Sequence, residues 1–226
     1  MYKACIFDLD GTLTDTLESI TYSVNQTLLE LKLEPISKEE CRRFVGNGAQ
    51  VLIEKALGAA GDVDLLRRKS AMETYGRIFD ANCNRGVKPY EGIIDLLEEL
   101  QNLGIQIGVL SNKPHAQTVK VVKEIFRGQY FKCIQGQCDE IPRKPNAIGA
   151  WAVARQLQVR PEECLYIGDS EVDIKTGAAA GMTTVSVAWG FRSKEELEHA
   201  EATSIVDNPK ELLEWIQMSH NKMRKE

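Results

Sequence analysis

No stretch of the 226-residue sequence approaches the roughly 18 consecutive apolar residues of a membrane-spanning helix. Basic runs are also missing. Apart from the tail Lys222-Met223-Arg224-Lys225, cations are dispersed, and the formal net charge is −5. A nucleic-acid partner is therefore not expected. Histidine is scarce, with three residues (115, 199, 220). The six cysteines are scattered, without a Cys-x-x-Cys pair or Cys/His cluster. That argues against zinc and against a disulfide framework, in favour of reduced thiols. The N-terminal apolar run Ala4-Cys5-Ile6-Phe7 stops at Asp8 and Asp10, too short for a signal-peptide core. The expectation is a chain that stays in the cytoplasm and has no membrane partner.

What is present reads as an ordinary globule, 43% hydrophobic and 27% charged. The length fits one domain, or one domain with an insertion. Tyr2 to Phe7 reads as a buried strand. From Asp15 to Asn84 the pattern is helical, with no convincing strand. Leu17, Ile20, Val24, Leu28 and Leu31 mark one helix face. Asp15 with Glu18, Ser37 with Glu40 and Ser193 with Glu196 have capping-box spacing. After Gly86, apolar strands (105–110, 131–134, 165–167, 182–187, 204–206) alternate with helices, one opened by Pro145. That rhythm predicts an α/β fold with a parallel sheet covered on both faces. A lone strand is not a domain, so residues 1–14 must join 86–226 in one core. Residues 15–85 are then an α-helical insertion.

Ligands of open parallel sheets bind at the carboxyl ends of the strands. Those ends carry Asp8-Leu9-Asp10-Gly11-Thr12, Ser111-Asn112-Lys113, Arg143-Lys144 and Gly168-Asp169 through Asp173. Asp8, Asp10, Asp169 and Asp173 brought together would repel unless a divalent cation neutralised them. A carboxylate-rich, all-oxygen set suits Mg²⁺. Ser111 and Lys144 add a hydroxyl and a cation for the same anion. Together these are tools of phosphoryl transfer.

In their order these four motifs resemble those of the haloacid dehalogenase superfamily, and the resemblance covers essentially the whole chain. It implies a Rossmann-like, doubly wound core with an inserted helical cap. Within that superfamily the chain is most similar to the phosphoglycolate phosphatases. The features are Thr14-Asp15, Phe44-Val45-Gly46-Asn47-Gly48-Ala49, Asn112-Lys113-Pro114 and Trp189-Gly190-Phe191-Arg192. The resemblance implies a Mg²⁺-dependent phosphatase of a small phosphate ester, 2-phosphoglycolate first among candidates, working through an aspartyl-phosphate. Asp8 would be the nucleophile and Asp10 the general acid and base. Asp8, Asp10, Asp169 and Asp173 would serve the metal, Asp10 through its backbone oxygen and Asp173 directly or through water. Ser111, Asn112 and Lys144 would hold the phosphoryl group with backbone amides around Gly11 and Thr12. Arg43, Gly46, Asn47 and Gly48 would set specificity from the cap. Pyrophosphatase and sugar-phosphate phosphatase or mutase remain open alternatives, as does oligomeric state.

Blander readings stand beside these. An Asp-x-Asp-Gly can be a solvated turn or part of a calcium loop, but Thr12-Leu13 departs from the calcium pattern. Arg143 would face solvent, and Trp189 and Phe191 would only pack. Gly46-Asn47-Gly48 could simply end a helix. A phospho-accepting receiver module also uses Asp, Mg²⁺, Ser/Thr and Lys on a parallel sheet. It places its acceptor after the third strand, whereas here the candidate acceptor ends the first.

Overall fold

The computed structural model describes residues 2–127 and 130–222, the side chains of 220–222 excepted. The Met223-Arg224-Lys225 end of the basic tail lies outside the described residues. Six strands form one sheet: β1 (Ala4–Phe7), β4 (Gln106–Pro114), β5 (Cys133–Gln137), β6 (Cys164–Gly168), β7 (Thr183–Val187) and β8 (Ile205–Val206). Their order is β5-β4-β1-β6-β7-β8, and every pairing is parallel. The expected parallel α/β sheet is thus present. β1 is buried along its whole length because both of its neighbours are strands and both faces are covered. Leu165 and Ile167 of β6 face one apolar cluster with Phe7, while Cys164 and Tyr166 face a second with Ile6. This alternation is the two-residue period of a strand with a core on each side.

The flanking helices are α5 (Ile93–Asn102), α6 (His115–Ile125), α7 (Ile148–Leu157), α8 (Glu171–Ala180), α9 (Lys194–His199) and α10 (Pro209–Lys222). Four more lie between the first strand and the rest of the sheet: α1 (Leu17–Glu30), α2 (Lys38–Phe44), α3 (Gly48–Ala59) and α4 (Arg68–Asn82). Leu17, Ile20, Val24 and Leu28 form the buried stripe of α1. Ser37 with Glu40 and Ser193 with Glu196 form complete capping boxes.

Several local expectations change. Asp15 and Glu18 do not form a capping box. Thr16 is the N-cap of α1, and Asp15 instead accepts from the Leu17 amide at 3.2 Å. Pro145 does not open its helix; α7 starts at Ile148, after a cis Lys144–Pro145 bond. A two-stranded antiparallel ribbon, β2 (Thr14–Asp15) with β3 (Lys88–Pro89), was not legible. It holds the entry and exit of the helical segment side by side. All six cysteines are free, five of them buried. Among the described residues, no helix is long and apolar enough to cross a membrane.

Candidate active site

The carboxyl ends of β1, β4 and β6 are neighbours because β1 pairs with both other strands. Asp8 follows β1, and its amide donates to the Ile167 carbonyl at 2.8 Å, which extends the ladder by one residue. The chain then wraps around one carbonyl. Leu9 oxygen accepts from the Leu13 and Thr14 amides at 3.1 and 3.0 Å and from the Thr14 hydroxyl at 3.1 Å. Gly11 closes this wrap at φ +91, and a Cβ there would stand 2.3 Å from Asp169 Oδ2. Only glycine meets both demands. The Gly11 and Thr12 amides are engaged inside the turn, with Thr14 and Leu9 oxygens at 2.9 and 3.4 Å. Thr12 Oγ1 donates to Asp169 Oδ1 at 3.2 Å. In this arrangement these two residues shape the loop and orient Asp169, instead of offering the free amides expected of them.

Lys144 is the electrostatic centre. Its ammonium lies 2.8 Å from Asp8 Oδ1 and 2.7 Å from Asp173 Oδ1, with only 3% of the side chain exposed. Ser170 Oγ donates to Asp173 Oδ2 at 2.6 Å, and the Tyr166 hydroxyl donates to Oδ1 at 3.4 Å. Asn112 positions the lysine: its Oδ1 accepts from the Lys144 amide at 2.8 Å, and its Nδ2 donates to the Lys144 carbonyl at 3.1 Å. Ser111 is buried beside it, lines the same cavity, and accepts from the Lys113 amide at 3.2 Å.

Charge is concentrated here beyond what one lysine neutralises. Carboxylate oxygens of Asp8, Asp169 and Asp173 all lie within 4.8 Å of one another. Burial pushes the Asp8 carboxyl well above its ordinary range; Lys144 pulls it back, while Asp173 and Asp169 push it further up. Burial, then Asp173, raises Asp169 to about 7. Burial alone would lower Lys144, but Asp173 and Asp8 overrule it and hold the ammonium protonated well beyond its usual range. A cation placed among these crowded carboxylates would favour their ionised form, and the three oxygens are close enough to share one. The donors are hard oxygens, so the set fits Mg²⁺.

Asp10 points elsewhere. Its Oδ1 is in close ion-pair contact with Lys113 Nζ, which also stands 5.3 Å from the centre of the Phe79 ring. Lys113 was not among the expected site residues, although it stands in the Ser111-Asn112-Lys113 strand end and in the Asn112-Lys113-Pro114 feature. A cavity lies over this cluster, and the helical segment supplies Ile20, Val45, Leu52, Tyr75 and Phe79 to its wall. Gly46 (φ +123) and Gly48 (φ +82) bring the α2–α3 turn to the rim. Asn112 Nδ2 donates to the Gly46 carbonyl at 3.0 Å.

Two expectations about arginines fail. Arg43 is exposed and lines a separate surface depression with Glu171 and Lys175, outside the cavity. Helix α2 turns that side chain outward, while its neighbour Arg42 donates to the Phe191 carbonyl at 2.6 Å. Arg143 does not simply face solvent, since it donates to the Asn47 carbonyl at 2.8 Å. The loop after β7 does more than pack. Trp189 Nε1 donates to the Thr12 carbonyl at 2.9 Å, and the Phe191 amide donates to Asp169 Oδ2 at 2.7 Å. Arg192 donates to the Arg42 and Val45 carbonyls at 3.2 and 2.9 Å and pairs with Glu171 at 3.0 Å. One loop thus grips both the helical segment and the carboxylate cluster.

The sequence profile of the haloacid dehalogenase-like hydrolases matches residues 5–187. A phosphoglycolate phosphatase of Rhodospirillum rubrum is 31% identical over 221 residues, 96% of this chain and 91% of that protein. Phosphoglycolate phosphatase 1 of Pseudomonas aeruginosa is 28% identical over 214 residues, 93% of this chain and 78% of that protein. The crystal structure of a candidate phosphoglycolate phosphatase from Lactobacillus delbrueckii superposes with a TM-score of 0.89 at 31% identity, covering 95% of this chain and 98% of its own.

Proposed function

From the premise that this chain belongs to the haloacid dehalogenase-like hydrolase family, we propose that it hydrolyses 2-phosphoglycolate to glycolate and phosphate. It is a phosphoric monoester hydrolase by its relatives. The observation that carries the mechanism is the pairing of Asp8 with Lys144 at 2.8 Å at the end of β1, with Asp10 two residues on.

Asp8 attacks phosphorus and forms an aspartyl-phosphate, while Asp10 delivers a proton to the departing glycolate oxygen. Asp10 then takes a proton from the water that hydrolyses the acyl phosphate and regenerates Asp8. Splitting one displacement into two lets the same pair of carboxylates serve both halves. Lys144 and the Ser111 hydroxyl hold the transferring group, and Asn112 holds Lys144. Asp8, Asp169, Asp173 and the Asp10 carbonyl would hold Mg²⁺, which when bound supplies positive charge against the phosphoryl oxygens. Asp173 shares its oxygens with Lys144, Tyr166 and Ser170, which supports a role in aligning the lysine. Residues 15–85 serve as a cap over a core of residues 1–14 and 86–226, and exclude water during transfer. Gly46, Asn47 and Gly48 contribute the cap's rim.

The test is phosphate release from 2-phosphoglycolate with Mg²⁺ and with excess chelator, beside pyrophosphate and several sugar phosphates. Mg²⁺-dependent preference for 2-phosphoglycolate is expected. Preference for pyrophosphate or a sugar phosphate would overturn the substrate, and turnover in excess chelator would overturn the metal.

A further inference from the structure

We propose that Lys113 is the specificity-determining cation of the cavity, receiving an anionic group on the leaving-group side of the ester. The proposal deepens the 2-phosphoglycolate reading and rests on it. Among the described residues, three cations line the cavity: Lys113, Lys144 and Arg192. Lys144 is held between Asp8 and Asp173 at 2.8 and 2.7 Å and belongs to the phosphoryl end. Arg192 is held by Glu171 and by the Arg42 and Val45 carbonyls. Lys113 has three N–H donors, and Asp10 takes one. Its side chain is 2% exposed, so its charge is not given to solvent.

The lining supplied by the helical segment makes this ammonium decisive. Among the described residues, the helical segment lines the cavity with Ile20, Val45, Leu52, Tyr75 and Phe79, beside small residues of the α2–α3 turn, and with no cation. A carboxylate entering with the ester would be stripped of water against that wall. Buried charge without a partner is strongly disfavoured, and Lys113 is the cation beside Asp10, the residue proposed to protonate the leaving oxygen. A short ester can therefore span the two ammonium groups, phosphoryl toward Lys144 and carboxylate toward Lys113. The ring of Phe79, 5.3 Å from Nζ, keeps the ammonium facing a low-dielectric surface and limits its retreat.

The experiment compares 2-phosphoglycolate with ethyl phosphate, in which a methyl group replaces the carboxylate, using the wild-type protein, Lys113→Gln and Lys113→Arg. Lys113→Gln removes a partner of Asp10, so turnover of both esters falls. The quantity read is the ratio of their kcat/KM values. The wild type is expected to favour 2-phosphoglycolate by on the order of 10²-fold or more, since a site built around a polar partner rejects an analogue lacking it. In Lys113→Gln the ratio should collapse to within about threefold of one, mainly because the KM for the carboxylate-bearing ester rises. Lys113→Arg should retain a clear preference. A merely structural role would lower both rates together and leave the ratio intact, and that result overturns the proposal. A wild type that turns over both esters equally also overturns it. Release of phosphate from neither ester by a folded, Mg²⁺-loaded wild type would instead sink the 2-phosphoglycolate reading on which it rests.

Discussion

Single residues in the carboxylate cluster set how the protein answers pH. Asp8 and Asp169 titrate above the ordinary carboxylate value of about 4, Asp169 near 7. At these two carboxyls the folded chain therefore binds more protons than the unfolded chain across that window. The stability these two groups contribute without a divalent ion is present at about pH 4 and is lost as pH rises through about 7. Mg²⁺ held by these carboxylates would reverse the penalty by favouring their ionised form. Thermal melts should show a larger Mg²⁺-induced rise in Tm at pH 7.5 than at pH 5; an equal rise at both would refute the linkage. Asp10→Asn should lower turnover by on the order of 10²–10⁴-fold, the range for a lost proton donor. Loss within twofold would remove Asp10 from acid–base work. Gly11→Ala meets both a positive φ and Asp169, so a destabilisation of about 1–3 kcal/mol is expected in denaturant titration. At this scale the acidic motifs were readable because strand ends announce themselves. Lys113 was not, because its importance lies in Asp10, 103 positions away in sequence.

Between elements, the loop after β7 ties the helical segment to Asp169. Arg192 reaches the end of α2 and the residue after it, and the next amide back in the loop, that of Phe191, holds the Asp169 carboxylate. Arg192→Ala would leave Glu171 and two carbonyls without this partner. Amide hydrogen exchange should then quicken in residues 42–49, and KM should rise more than kcat falls. Unchanged exchange there would show that the contact does not hold the segment down. Sequence legibility follows the span of each partnership. The Ser37 and Ser193 capping boxes were readable because both partners lie three residues apart. The β2–β3 ribbon was not, because two-residue strands carry no periodicity and pair across more than 70 positions. The outward turn of Arg43 was not legible because it depends on the phase of α2, which directs the neighbouring Arg42 toward Phe191. Pro145 looked like a helix opener, yet Lys144 next to it must stay buried between carboxylates, and the helix begins only at Ile148.

Over the whole molecule, placing β1 between β4 and β6 turns three distant segments into one site. The apolar strands and their alternation with helices made the parallel α/β class readable. That the first strand joins the sheet followed from a lone strand's need for partners, while its central place and its neighbours came only with the structure. A phosphoryl group on Asp8 is the central claim of the proposed mechanism. The most direct measurement is rapid acid quench during turnover of 2-phosphoglycolate with Mg²⁺, followed by mass spectrometry of the peptide containing Asp8. A mass increase of one phosphoryl group on that peptide, absent in Asp8→Asn and enriched in a variant slowed at Asp10, is predicted. Steady turnover with the label on another residue, or with no covalent adduct even in the slowed variant, would contradict it.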